Sequence, residues 1–181
     1  MSTTETIQRQ TPTTQRWTLD PNHTTVEFEV PHMWGLSTVT GRFRRFDGSY
    51  VMGPGHAAIE LEIDPTSVDT GNATRDKHLR SHDFFHVEQH PRIHFDSTDI
   101  VDQGHGRLHV IGVLDVAGTP MPLGIAVTTR SFGDGLEIEA TASVDQRDFG
   151  MSSGPLWSIR RPTTLHVKAR LVAAPTEETA C

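Results

Sequence analysis

The chain has a single cysteine, Cys181, at its last position. That excludes a disulfide framework and a multi-cysteine metal site. Prenylation, which needs its cysteine four residues from the end, has no acceptor. No run approaches the ~18 apolar residues of a membrane-spanning helix, and the opening MSTTETIQRQTPTTQ lacks the apolar stretch of a secretory signal. The expectation is a cytoplasmic protein without stable membrane insertion. Basic residues are outnumbered, 16 Lys and Arg against 23 Asp and Glu, which argues against a nucleic-acid partner. The short clusters at Arg42 to Arg45 and at Arg160-Arg161 read as solvated edges and loops, with an anionic head group as their other candidate partner. No Gly-x-Ser-x-Gly elbow, phosphate-cradling glycine loop or dinucleotide fingerprint occurs, so no residue set argues for an enzyme.

Apolar residues make up 35% of the chain, few for a solid core. Part of the shortfall lies in the polar ends. Residues 1–15 are rich in Thr and Gln, and residues 173–181 are similarly polar; neither can bury enough surface to offset ordering entropy, so both are expected to be disordered. Residues 16–172 read as one domain without internal repeats.

What this domain does have is alternation. Val26, Phe28 and Val30 face one way against Thr25, Glu27 and Glu29, a strand with one buried face. The same period places Val39, Gly41 and Phe43 inward, and the slip at Arg44-Arg45-Phe46 predicts a bulge before an Asp47-Gly48 turn. Further strands carry Ile59, Leu61 and Ile63, then Ile93 and Phe95, then Leu108, Val110, Gly112 and Leu114. Three more follow: Leu123, Ile125 and Val127; Leu136, Ile138, Ala140, Ala142 and Val144; and Leu165, Val167, Ala169 and Leu171. Between the third and fourth strands the period breaks. Asn72 can cap a short helix over Ala73 to Arg80, leading into Phe84-Phe85.

Eight one-sided strands with mostly short connections predict an all-β fold: an eight-stranded antiparallel, lipocalin-like β-barrel with one short helix between strands 3 and 4. A two-sheet sandwich is the structural rival. Gly41, Gly112, Ala140, Ala142 and Ala169 all fall on the inward side, where they either relieve crowding at bends of the coiled sheet or leave a cavity.

The ordered set Trp17-x-Leu19-Asp20-Pro21-x-His23-Thr24-x-Val26-x-Phe28-x-Val30-x-His32, then Val39-x-Gly41-x-Phe43-x-x-Phe46-x-Gly48, resembles the opening of the YceI-like family. Arg75-Asp76-x-His78-Leu79-x-Ser81-x-Asp83-Phe84-Phe85 and Pro91-x-Ile93-x-Phe95-x-Ser97 are similar to its middle, and Arg147-Asp148-Phe149-Gly150 to its late Asp-Phe-Gly element. The resemblance implies a barrel whose channel takes a polyisoprenoid, an isoprenoid quinone or a similar amphiphile as cargo rather than cofactor. Many family members begin with a signal peptide, and this sequence departs from that pattern. The expected ligand-binding residues are Val26, Phe28, Val30, His32, Val39, Gly41, Phe43, Leu61, Phe84, Phe85, Phe95, Leu108, Val110, Gly112, Ile125, Ile138, Ala140 and Phe149. His23 or His32 would meet a head group, helped by Arg42 or Arg147, or would instead pin turns. Phe84 and Phe85 would form a lid or a plug.

Two other readings compete. His78, His82, His86, His90 and His94 recur every fourth residue, so a helix reaching His86 would offer two imidazoles, with Asp83, to Zn²⁺ or Ni²⁺. Pro91 and the strand pattern at His94 prevent the run from acting as one face. Ile111 and Val113, apolar on a face expected to be wet, suggest instead an interaction module or a homodimer contact.

Overall fold

Alternation of apolar and polar residues builds nearly the whole molecule. A computed structural model describes residues 14–32, 37–151 and 162–174. Among them are eleven strands: β1 (Gln15–Leu19), β2 (Thr25–His32), β3 (Ser37–Phe43), β4 (Phe46–Gly53), β5 (His56–Ile63), β6 (Val68–Asp69), β7 (Ile93–Gly104), β8 (Arg107–Val116), β9 (Thr119–Phe132), β10 (Gly135–Asp145) and β11 (Pro162–Ala173). The one α-helix among the described residues, α1 (Ala73–Arg80), lies between β6 and β7. All pairings are antiparallel, in the order β1-β4-β5-β7-β8-β9-β10-β11-β2-β3-β6, and β1 also pairs with β11. That last pairing closes a ring of eight strands, as the sequence predicts, and rules out the sandwich.

The eleven segments occupy eight positions because three long strands are broken. β1 and β2 are separated by a 3-10 turn at Pro21–His23, and β5 and β6 by another at Pro65–Ser67. Asp20 caps the first through Asn22 N–H and Asp64 the second through Thr66 N–H, and proline follows each aspartate at the first helical position. β3 and β4 are separated at Arg44-Arg45. The breaks are stitched side by side: both Arg44 N–H and Arg45 N–H donate to the buried Ser67 Oγ, and Arg45 Nε donates to Asp64 Oδ2 at 2.8 Å. Desolvation alone would raise the Asp64 carboxyl, but hydrogen bonds from Thr66 and Arg45 outweigh it and hold the group below its ordinary value of 3.8.

The predicted turn at Asp47-Gly48 does not occur. β4 runs through both residues, with Gly48 opposite Leu61, and the chain reverses at Pro54-Gly55. Gly48 is required by crowding rather than by a turn: an added Cβ would stand 2.8 Å from the Glu60 carbonyl oxygen and 2.9 Å from Leu19 Cδ1. After Val116 the chain reverses in a two-residue hairpin, with Ala117 (φ 52°) and Gly118 (φ 74°) both left-handed, as such a turn needs.

β11 pairs with β1 over its last residues and with β2 over Thr164 to Lys168, and the two ends of the barrel differ because β7 begins at Ile93, opposite the last residue of β5. At one end the ring is continuous. At the other the order runs β11, β2, β3, β6 and stops, and no pairing joins β6 to β7 among the described residues. Helix α1 and the segment after it sit in that gap. Asn72 caps the helix through the N–H groups of Thr74 and Arg75, as predicted. Asp76, 8% exposed, accepts hydrogen bonds from Thr70 N–H (2.9 Å) and Thr70 Oγ1 (2.6 Å). Arg80 donates to the Val68 carbonyl at 2.9 Å. On the outer wall Ile111 and Val113 of β8 are exposed.

Candidate functional site

The interior rows of the strands do not meet across the barrel. They surround an apolar cavity of about 680 Å³, within the ~300–1,000 Å³ range of ligand sites. Of the expected ligand-binding residues, Val26, Phe28, Val30, Val39, Phe43, Leu61, Phe84, Phe85, Phe95, Val110, Ile125, Ile138, Ala140 and Phe149 line it. The His32 side chain lies outside the described residues.

Three of the expected residues are not on the wall. Gly41 and Gly112 face inward, but aromatic rings cover them. A Cβ at Gly41 would run into the ring of Phe28, its cross-strand partner, and one at Gly112 into the Asp96 carbonyl and the ring of Phe95. Each glycine lets a phenylalanine lie flat against the sheet, so the cavity owes its width there to the flattened ring. Leu108 misses the wall by its level along the barrel axis. Val110, two residues along the same strand, lines the cavity and Leu108 packs beneath it.

The same step recurs around the continuous end. Leu19 lines the cavity and Trp17 does not; Tyr50 does and Met52 does not; Ile138 does and Leu136 does not. Below that level Trp17, 7% exposed, stacks on Tyr50 with ring centroids 5.3 Å apart, and its indole N–H reaches the Asp134 carbonyl in the β9–β10 turn at 3.4 Å. Burial raises the Tyr50 phenol above its ordinary value, and the Asp102 carboxylate adds to the shift. Sequence reasoning missed Tyr50 and Leu19 because β1 and β4 were not recognised as strands. Val127, Ala142, Leu165, Val167 and Ala169 also line the wall; their inward parity was the signal for them.

At the α1 end the wall includes polar groups, among them Asn72, Thr74, Arg75 and His78. Arg75 is held by Thr70, donating through Nε to its hydroxyl at 2.7 Å and through Nη2 to its carbonyl at 2.8 Å. His78 stands 3.0 Å from Asp83 Oδ2 and packs edge-on against Phe84, ring centroids 5.0 Å apart. Phe85 packs against Phe43 at 5.7 Å. The two phenylalanines therefore line the cavity beside α1 rather than at the far end of the barrel.

The other head-group candidates turn away from the cavity. His23 Nδ1 lies 2.6 Å from Asp20 Oδ2 at the β1–β2 break, Arg42 faces outward beside Asp69 at 3.5 Å, and Arg147 pairs with Asp145 at 2.7 Å. Strand parity explains Arg42, and the capping aspartates Asp20 and Asp145 explain the other two. The histidine run also disperses. Helix α1 ends at Arg80, so His82 and His86 leave its face. His78 and His82 meet opposite oxygens of Asp83, each at 3.0 Å. His86 is left-handed (φ 48°), and His94 pairs with Asp96 on β7. Among the described residues no group of three His, Cys, Asp or Glu is placed to hold a metal ion.

A crystal structure of Burkholderia cenocepacia BcnA superimposes with a TM-score of 0.74 at 19% identity, covering 83% of this chain and 99% of that one. A polyisoprenoid-binding domain from Saccharophagus degradans superimposes with a TM-score of 0.66 at 18% identity, covering 87% and 98%. At these identities the likeness is one of fold. Sequence relatives are nearer: a UPF0312 protein of Vibrio cholerae is 33% identical over 140 residues, 71% of this chain and 72% of its own length. Another from Pseudomonas aeruginosa is 35% identical over 144 residues, 74% of each. The model of the YceI-like domain matches residues 17–171, from Trp17 to the last cavity residue of β11, and the chain belongs to that family.

Proposed function

We propose that this protein encloses one long-chain apolar lipid, a polyisoprenoid, an isoprenoid quinone or a related amphiphile, and carries or sequesters it by enclosure rather than chemistry. The observation that carries this reading is the size and apolar lining of the interior cavity. An apolar cavity of roughly 150 Å³ stays dry and takes up benzene. On that scale 680 Å³ holds a chain of roughly two dozen carbons. At about 0.8 kcal/mol per buried methylene, such a chain gains about 20 kcal/mol on leaving water, more than the upper end of the association cost, about 15 kcal/mol. A tail leaving a bilayer gains almost nothing, because lipid is as apolar as the barrel wall. Exchange with a membrane is then nearly neutral, which suits loading and release. The polar end at α1, with Arg75 and His78, is where a head group would stay in contact with water. A polyisoprenoid-binding domain among the fold neighbours supports this choice of cargo class.

The test is titration of delipidated protein with an isoprenoid quinone, beside Ala140→Phe, which pushes a ring into the cavity. Saturable one-to-one binding that Ala140→Phe weakens at least tenfold, with the melting temperature kept, is the expected result. Equal binding by the two proteins, or none by either, contradicts it.

A further inference from the structure

The cavity ends at one level on strand after strand, and that level is built rather than accidental. Tyr50, Val110 and Ile138 lie on the wall; the next inward residues on their strands towards the continuous end, Met52, Leu108 and Leu136, do not. Trp17, opposite Tyr50 in the β1–β4 register and outside the cavity wall, stacks on it nearly parallel (18° between ring planes) and is anchored by β1 pairing with both β4 and β11 as well as by its N–H to Asp134. Strand pairing fixes the height of Trp17, so the Tyr50 ring cannot sink.

We infer that the Tyr50 ring, backed by Trp17, is a fixed floor that sets the longest tail the barrel encloses, so that the cavity measures chain length from this end while any excess leaves at the α1 end. The inference rests on the enclosure reading and adds to it a selectivity that enclosure alone does not require.

Isoprenoid alcohols of graded length, in steps of one isoprene unit, are the probe, with binding measured by native mass spectrometry. Enclosed methylenes each raise affinity about fourfold and excess ones add nothing, so affinity against length has a break. Tyr50→Ala is expected to move the break by at least one isoprene unit to longer chains. Ile138→Phe, which raises the floor and does not depend on Tyr50→Ala folding, should move it one unit shorter. Tyr50→Phe, which keeps the ring, should leave it in place. A break unmoved in Tyr50→Ala protein that melts cooperatively overturns the floor, as does one moved equally by Tyr50→Phe or unmoved by Ile138→Phe. Failure of every length to bind the unaltered protein overturns the carrier reading, and the floor with it.

Discussion

The two ends of this barrel are closed by different means. At the Trp17 end, β1 pairs with β4 on one side and β11 on the other, and an aromatic stack sits inside the closed ring. At the α1 end the ring is open between β6 and β7, and Phe84 and Phe85 line the cavity beside a helix. Strand pairing holds the first. Side-chain clamps hold the second: Asp76 and Arg75 on Thr70, and Arg80 on the Val68 carbonyl. A seal of backbone ladders opens only if strands separate, whereas one of a few side-chain hydrogen bonds can open locally. Under the enclosure proposed above, the closed end would hold the tail and the clamped end would be its way in and out.

The largest expected effect is at the closed end. Trp17→Ala removes a buried ring and the floor's support, and should cost about 3–5 kcal/mol in chemical denaturation. Next is the clamp. Asp76→Ala leaves the Thr70 N–H without its acceptor and should cost about 2–3 kcal/mol, lowering the melting temperature by roughly 5–10 °C. Amide exchange should quicken in α1 while β1 and β11 stay protected. Equal loss of protection at both ends would erase the contrast. Gly112→Leu forces a side chain against the Asp96 carbonyl and the Phe95 ring, and should cost about 1–3 kcal/mol.

Acid should weaken the breaks in the long strands, at Asp64 and Asp69 around β6 and at Asp20 between β1 and β2. The Asp64 carboxyl is depressed below 3.8 by bonds that outweigh its desolvation, and that of Asp69 is depressed by Gly71 N–H and Arg44. A group depressed in the folded state contributes stability above its unfolded value and loses it as pH falls through the folded one. The melting temperature should therefore fall below about pH 4, with a shallower slope in Asp64→Asn. An unchanged slope would remove Asp64 from the account. The smallest effect is that of Tyr50→Phe, whose hydroxyl donates to the Met52 sulfur at 3.5 Å, a weak acceptor; its stability should change by less than about 0.5 kcal/mol.

Much of this was legible in the sequence. The parity of β5, β8, β10 and β11 placed their inward residues on the correct face, and Asn72 marked the helix start, because each signal is local. β1 escaped notice because five residues with two apolar ones, Trp17 and Leu19, carry almost no periodic signal. β4 escaped because Asp47-Gly48 reads as a turn when its glycine answers to crowding from the neighbouring strand. Without those two strands the floor could not be seen, since Trp17 meets Tyr50 only through a pairing across more than thirty residues. Gly41 and Gly112 were correctly placed inside, but what covers them is a ring supplied by a neighbouring strand. The gap at α1 was illegible for a related reason. It arises because β7 begins at Ile93, opposite Ile63, and so pairs with β5 and not with β6, a property of register that no local pattern reports.

The central claim is that the interior is occupied by a lipid tail. Its most direct test is native mass spectrometry of the protein purified gently from its own host, followed by organic extraction of what it releases. The account predicts a stoichiometric adduct that extraction identifies as an isoprenoid chain or quinone. A clean unliganded mass that persists after incubation with such lipids would contradict it.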